Sequence, residues 1–113
     1  MGARYVPERG DVVWLCFDPQ AGHEQAGHRP ALTLSPRAYN AKAGLALFCP
    51  ITSQSKGYPF EVTVRSAKLQ GVVLADQIRN LDWRARQARF CDKVSALVID
   101  EVLAKLATLV GAG

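Results

Sequence analysis

The chain is predicted to be mainly β, a small curled antiparallel sheet or partly open barrel closed on one side by a C-terminal helix. Three observations carry this. Short runs rich in β-branched and aromatic residues recur along the first 91 residues and are separated by Gly, Pro and polar clusters. Only the last segment changes to a three- and four-residue apolar period, over 96–110. At 113 residues there is material for one modest core, so 1–113 is expected to form a single domain.

Residues 11–17 (DVVWLCF) read as a nearly fully buried strand. A polar connection, GHEQAGHRP at 22–30, follows and packs a carboxylate, two imidazoles and a guanidinium into nine residues. Pro30 is expected to end that loop and to push Arg29 toward an extended conformation, making it the most rigidly held charge of the group. A strand over 31–34 stops at Ser35-Pro36, and 37–42 forms a short helical turn before Gly44. The run 45–51 (LALFCPI) is a further strand, in which Pro50 removes a ladder donor and marks a place where the strand leaves or borders the sheet. Thr52, Ser53 and Lys56 therefore emerge at a strand end. Residues 60–65 alternate, with Phe60, Val62 and Val64 on one face and Glu61, Thr63 and Arg65 on a wet one. Residues 71–75 form another short strand and 87–91 the last. Ser95 caps the helix, Glu101 and Lys105 pair one turn apart, and Gly111 closes it.

Composition narrows the function classes. Apolar residues make up 49% and charged residues 21%, which excludes a disordered chain. No apolar run is long enough to span a bilayer and the start lacks the apolar core of a secretory signal, so a cytoplasmic protein without membrane contact is expected. Cys16, Cys49 and Cys91 are odd in number and lie in or beside apolar runs, which favours buried thiols over disulfides or a metal site. The net charge of +4 is uneven: Arg79, Arg84, Arg86, Arg89 and Lys93 face only Asp82 and Asp92 within 79–93. Such a run is commonly a solvated face, yet Trp83 beside Arg84 offers base stacking next to phosphate contacts, the means by which single-stranded nucleic acid is held.

Motifs for zinc peptidases, glycine-rich phosphate loops and serine hydrolases are missing. What remains is Glu24, His23, His28, Arg29, Thr52, Ser53 and Lys56. RNA cleavage needs little more, because the 2′-hydroxyl already stands beside the phosphorus and the protein need supply only a base, an acid and stabilisation of charge. Each residue also has a structural reading: Arg29 as an ion-pair partner of Glu24, Thr52 as a backbone partner at a strand end, the histidines as solvated loop residues.

The segments RGDVVWLCFDP at 9–19, GHEQAGHRPALTLSP at 22–36, PITSQSKGYPFEV at 50–62 and GVVLADQIRNLDWRAR at 71–86 together resemble the MazF/PemK endoribonuclease toxins of bacterial toxin–antitoxin systems. The resemblance implies an SH3-like partly open barrel that forms a homodimer and holds single-stranded RNA in a groove across the interface. It implies sequence-specific cleavage of mRNA without cofactor or metal, leaving a 2′,3′-cyclic phosphate and a 5′-hydroxyl. Arg29 is then the acid or charge stabiliser, Thr52 a transition-state contact and Glu24 the base. Phe17, His28, Ser53, Lys56, Asp76, Gln77, Trp83, Arg84 and Arg86 are the implied RNA contacts. The implied inhibitor is the acidic C-terminal segment of a MazE-like antitoxin, through which the complex binds its operator DNA. Two alternatives share the outline: a CcdB-like barrel that poisons gyrase by binding, and a barrel that holds RNA without cutting it.

Overall fold

The computed structural model describes residues 5–16 and 28–111. Seven strands, β1 (Asp11–Cys16), β2 (His28–Thr33), β3 (Leu45–Thr52), β4 (Glu61–Arg65), β5 (Gln70–Leu74), β6 (Arg79–Asp82) and β7 (Arg89–Lys93), form one curled sheet. Among the described residues two helices accompany them, α1 (Arg37–Ala43) and α2 (Ala96–Val110), and a 3₁₀ turn covers Ala75–Gln77. Every pairing is antiparallel, in the order β4-β5-β3-β2-β1-β7, with β6 alongside β3.

Alternation along the strands sorts their side chains into two cores, one on each face of the sheet. Val12, Leu32 and Cys49 join Val62, Val73, Ile99 and Val102 in one core, whereas Val13, Ala31 and Phe48 join Leu15, Leu81 and Trp83 in the other. Both faces are covered, which is why 11–16 is apolar almost throughout. The first core is capped by α2, whose buried Ile99 and Val102 each contribute about 1.5–3 kcal/mol of transfer free energy. Ser95 caps that helix by accepting a hydrogen bond from the Val98 N–H, and Gly111 follows its last turn, as the sequence led us to expect. Leu97, Leu103, Leu109 and Val110 of α2 stay exposed, so the helix is apolar over a wider arc than the sheet covers.

Curl enters at two places. In β7 the register against β1 slips between Val12 and Val13, leaving Cys91 as an extra residue, and such a bulge bends and twists the strand. In β3 the partner changes: residues 45–48 pair with β6, while Ile51 and Thr52 pair with β5. Pro50, with no N–H to give a ladder, lies at the changeover. The strand therefore continues through the proline rather than leaving the sheet there.

Beyond shifts of a single residue, the elements differ from those predicted at β2, β6 and β7. β2 begins at His28, because Cys16 and Leu15 of β1 pair with His28 and Arg29. Arg29 and Pro30 are thus strand residues, not the end of a loop. The polar stretch 79–82 is a strand not foreseen, and β7 spans Arg89–Lys93 instead of 87–91. The predicted extension of β1 to Phe17 lies outside the described residues.

The second core is tied to α1 by Asn40, which is fully buried. Its Nδ2 donates to the carbonyls of Pro7 and Ser35, its Oδ1 accepts from the Ser35 hydroxyl, and its own carbonyl accepts from Trp83 Nε1 at 3.0 Å. Each polar atom of this buried amide has a partner, so its burial is not penalised.

Candidate functional site

A cleft of about 590 Å³ opens where the ends of β2 and β3 meet the start of β4 and the turn after β5. Its walls include Arg29, Thr52, Gln54, Lys56, Tyr58, Glu61, Gln77 and Arg79. Extending the β2–β3 register two residues past the Ala31–Pro50 pair sets Arg29 directly across from Thr52. A second, shallower hollow shares Arg29 and Thr52 and adds Ser53 and Gln70. The two residues are thus reachable from two sides of the same strand ends.

Thr52 is held by the sheet and by its own side chain. It pairs with Val72 of β5, and its Oγ1 accepts from the Gln54 N–H at 3.1 Å, which turns the chain out of the strand. The accepting role leaves the hydroxyl proton for donation into the cleft. Gly71 permits this approach, since a Cβ there would stand 2.4 Å from the Thr52 carbonyl oxygen.

The predicted contacts separate into groups. Arg29, Thr52, Lys56 and Gln77 share the main cleft, and Ser53 lines the smaller hollow beside it. His28 is exposed at the start of β2, and Asp76 is exposed in the 3₁₀ turn without reaching the main cleft's wall. Glu24, His23 and Phe17 lie outside the described residues. Trp83 requires a correction: it is only 4% exposed, packs in the second core and donates to the Asn40 carbonyl, so its ring is not offered to a base. Arg84 covers one ring face at 4.6 Å, a cation–π contact. Arg86 likewise turns inward, donating to the Cys16 carbonyl at 3.1 Å and tying the β6–β7 connection to the end of β1.

Arg79 was missed as an individual site residue. It opens β6 opposite Phe48 and adds a third cation to Arg29 and Lys56 around the cleft. Its position follows from the β3–β6 pairing, whose strand carries a single buried residue, Leu81, and so has almost no apolar signature. Tyr58, Gln54 and Glu61 were also unforeseen; the motif 50–62 contains them, but nothing in their spacing says which way they face.

Cys49 is buried and desolvation pushes its thiol up to about 12, with Asp76 adding a smaller push in the same direction. The thiol is inert at neutral pH. Among the described residues no cluster of three or more His, Cys, Asp or Glu side chains is placed to hold a metal ion, and no helix is long and apolar enough to cross a membrane.

Fold and cleft define a class: a curled antiparallel half-barrel with a C-terminal helix and a cation-lined cleft at the strand ends. Residues 8–110 match the family model described as PemK-like, MazF-like toxin of type II toxin–antitoxin system. The endoribonuclease toxin MazF of Escherichia coli K12 is 50% identical over 111 residues, covering 98% of this chain and 100% of that protein. Crystal structures from Deinococcus radiodurans superpose closely: MazF with a TM-score of 0.86 and 56% identity, over 96% of this chain and 99% of that one. The MazE–MazF complex gives 0.87 and 49% identity, over 97% and 100%. The chain belongs to the PemK-like, MazF-like toxin family.

Proposed function

We propose that this chain is a sequence-selective endoribonuclease toxin that cleaves single-stranded RNA by attack of the 2′-hydroxyl on the adjacent phosphorus. The observation that carries the reading is that Arg29 and Thr52 line one cleft with Lys56 and Arg79, in a chain half identical to a protein named as an endoribonuclease toxin. The 2′-oxygen forms a bond to phosphorus as its proton passes to a base, the role assigned to Glu24. The bond from phosphorus to the 5′-oxygen then breaks, and that oxygen takes a proton as it leaves. Arg29 offsets the extra charge on the phosphoryl oxygens, and the Thr52 hydroxyl donates to one of them. The products are a 2′,3′-cyclic phosphate and a 5′-hydroxyl. No step calls on a metal.

Lys56, Arg79, Gln77, Ser53 and His28 supply the path for the strand, while Asp76 and Arg84 lie farther from the reacting phosphate. Residues 1–113 act as one domain. Two copies pair, carrying twice the chain's +4, and an acidic, extended antitoxin segment of the MazE kind competes for the same groove. The complex then reaches operator DNA through the antitoxin. Support for such a partner comes from the Deinococcus radiodurans MazE–MazF structure.

Incubating the purified protein with mixed-sequence RNA in EDTA and analysing the ends tests the reading. Cyclic phosphate and 5′-hydroxyl ends are expected. Cleavage that chelation abolishes and magnesium restores would exclude the mechanism. Intact RNA with or without magnesium would exclude the activity.

A further inference from the structure

Glu61, the first residue of β4, puts a carboxylate on the wall of the cleft that Arg29, Thr52 and Lys56 share. A bare carboxylate there would repel a phosphate. This one is engaged by the connection just before it. Oε1 accepts from the Ser55 hydroxyl at 2.7 Å and from the Gly57 N–H at 3.1 Å, and Oε2 accepts from the Lys56 N–H at 2.8 Å. The Tyr58 carbonyl in turn accepts from the Glu61 N–H at 3.1 Å. Gly57, at φ +79°, makes the left-handed turn that lets successive N–H groups converge on one anion.

A connection between strands has no ladder to order it, so its donors must find partners or face water. Here one anion gathers donors from three consecutive residues, 55–57, of which Lys56 lines the cleft, as does Tyr58 just beyond them. The far side is held separately, where Lys105 of α2 donates to the Pro59 carbonyl.

We propose that Glu61 is a positioning residue of the cleft: by closing the turn at 55–58, its carboxylate holds Lys56 where that side chain meets the phosphates of a single-stranded RNA. The proposal rests on the endoribonuclease reading for its ligand, though not for the clamp itself. It makes a prediction opposite in sign to that of simple charge. Removing a negative group from a cation-lined cleft should tighten polyanion binding. If the group orders Lys56, its removal weakens binding instead.

The test uses Glu61→Ala, Glu61→Gln and Lys56→Ala, alone and with Glu61→Ala combined with Lys56→Ala. Three readouts are taken: amide exchange of the free protein, binding of a mixed-sequence single-stranded DNA that cannot be cleaved, and cleavage of mixed-sequence RNA. Glu61→Ala is expected to speed exchange at Lys56 and Gly57 while β3 and α2 keep their protection, and to weaken DNA binding about tenfold. KM for RNA should rise by a similar factor with kcat within about threefold, because Arg29 and Thr52 sit on β2 and β3. Glu61→Gln, which keeps a carbonyl acceptor, should recover part of the affinity. The double variant should bind no more weakly than Lys56→Ala, since one residue acts through the other. Binding as tight as or tighter than the wild type, or fully additive losses, would overturn the proposal. Unchanged exchange at Lys56 and Gly57 would overturn the clamp. If the wild-type protein neither bound nor cut RNA, the functional reading would fail, and the exchange measurement, which uses no nucleic acid, would still decide the clamp.

Discussion

Two sets of cations in this chain have opposite fates. Arg84, Arg86 and Arg89 lie within six residues of one another, in the densest basic stretch of the sequence, whereas Arg29, Lys56 and Arg79 are 50 residues apart from first to last. The dispersed set converges on the cleft. Of the contiguous set, Arg84 lies over the buried Trp83 and Arg86 donates to the Cys16 carbonyl. Charge density along a chain and charge density in space are different quantities, and strand register converts one into the other. β3 does the converting, with β2 bringing Arg29 to its one edge and β6 bringing Arg79 to its other.

Substitution of Trp83 carries the largest expected effect. Trp83→Ala empties a core site and leaves the Asn40 carbonyl with only the Gly44 N–H as donor, so a loss of about 3–5 kcal/mol is expected, measured by denaturant unfolding. Trp83→Phe should keep nucleic-acid affinity within about twofold; a larger loss at unchanged fold would restore the stacking role. Next comes Arg29→Ala, for which single-turnover cleavage should fall about 10²-fold or more while RNA binding weakens far less. Near wild-type cleavage would remove Arg29 from the chemistry.

The two sets are then compared directly by Arg79→Ala and Arg84→Ala. The first should weaken RNA binding and lower the slope of log affinity against log salt by about 1, and the second should leave that slope nearly unchanged. Equal slopes for both variants would mean that Arg79 and Arg84 meet the strand alike. The smallest effect concerns pH. The Lys56 N–H first, then the Ser55 hydroxyl and further backbone donors, hold the Glu61 carboxyl below its ordinary value of 4.5. A depressed carboxyl contributes its bonds in full above its unfolded value and loses them as pH falls through the folded one. The Lys56 and Gly57 amide resonances should therefore stay fixed from pH 7 to about 4.5 and move only in more acid solution. Movement with its midpoint at the ordinary value of 4.5 or above would mean that the carboxylate is not clamped.

Much of the fold was legible wherever one physical rule acted alone. β4 alternates and has a wet side, with Val62 and Val64 buried and Thr63 and Arg65 exposed. The helix at 96–110 has both its cap and its period. Legibility failed where two rules competed. Pro30 reads as a loop terminator because it lacks a donor, yet pairing with β1 draws it into β2. Residues 79–82 hide a strand because β6 needs only Leu81 to anchor it once β3 supplies the ladder. Trp83 beside Arg84 is equally good grammar for stacking a base and for stacking the arginine itself, and the choice was made by a carbonyl 43 positions away. Of the residues that line the cleft, Arg29, Thr52 and Lys56 had been singled out by their motifs. Arg79 and Glu61 were not, because what assigns them is a cross-strand register and a turn.

The part played by β3 also bears on when the molecule acquires its cleft. The strand is the shared partner of β2, β5 and β6, and the walls of the cleft run from Arg29 to Arg79 in the chain. No N-terminal fragment that stops short of residue 79 contains them all. Because these pairings join distant residues, loop-closure entropy must be spent before they are rewarded. During synthesis the nascent chain is thus without its complete cation-lined cleft until β6 has left the ribosome.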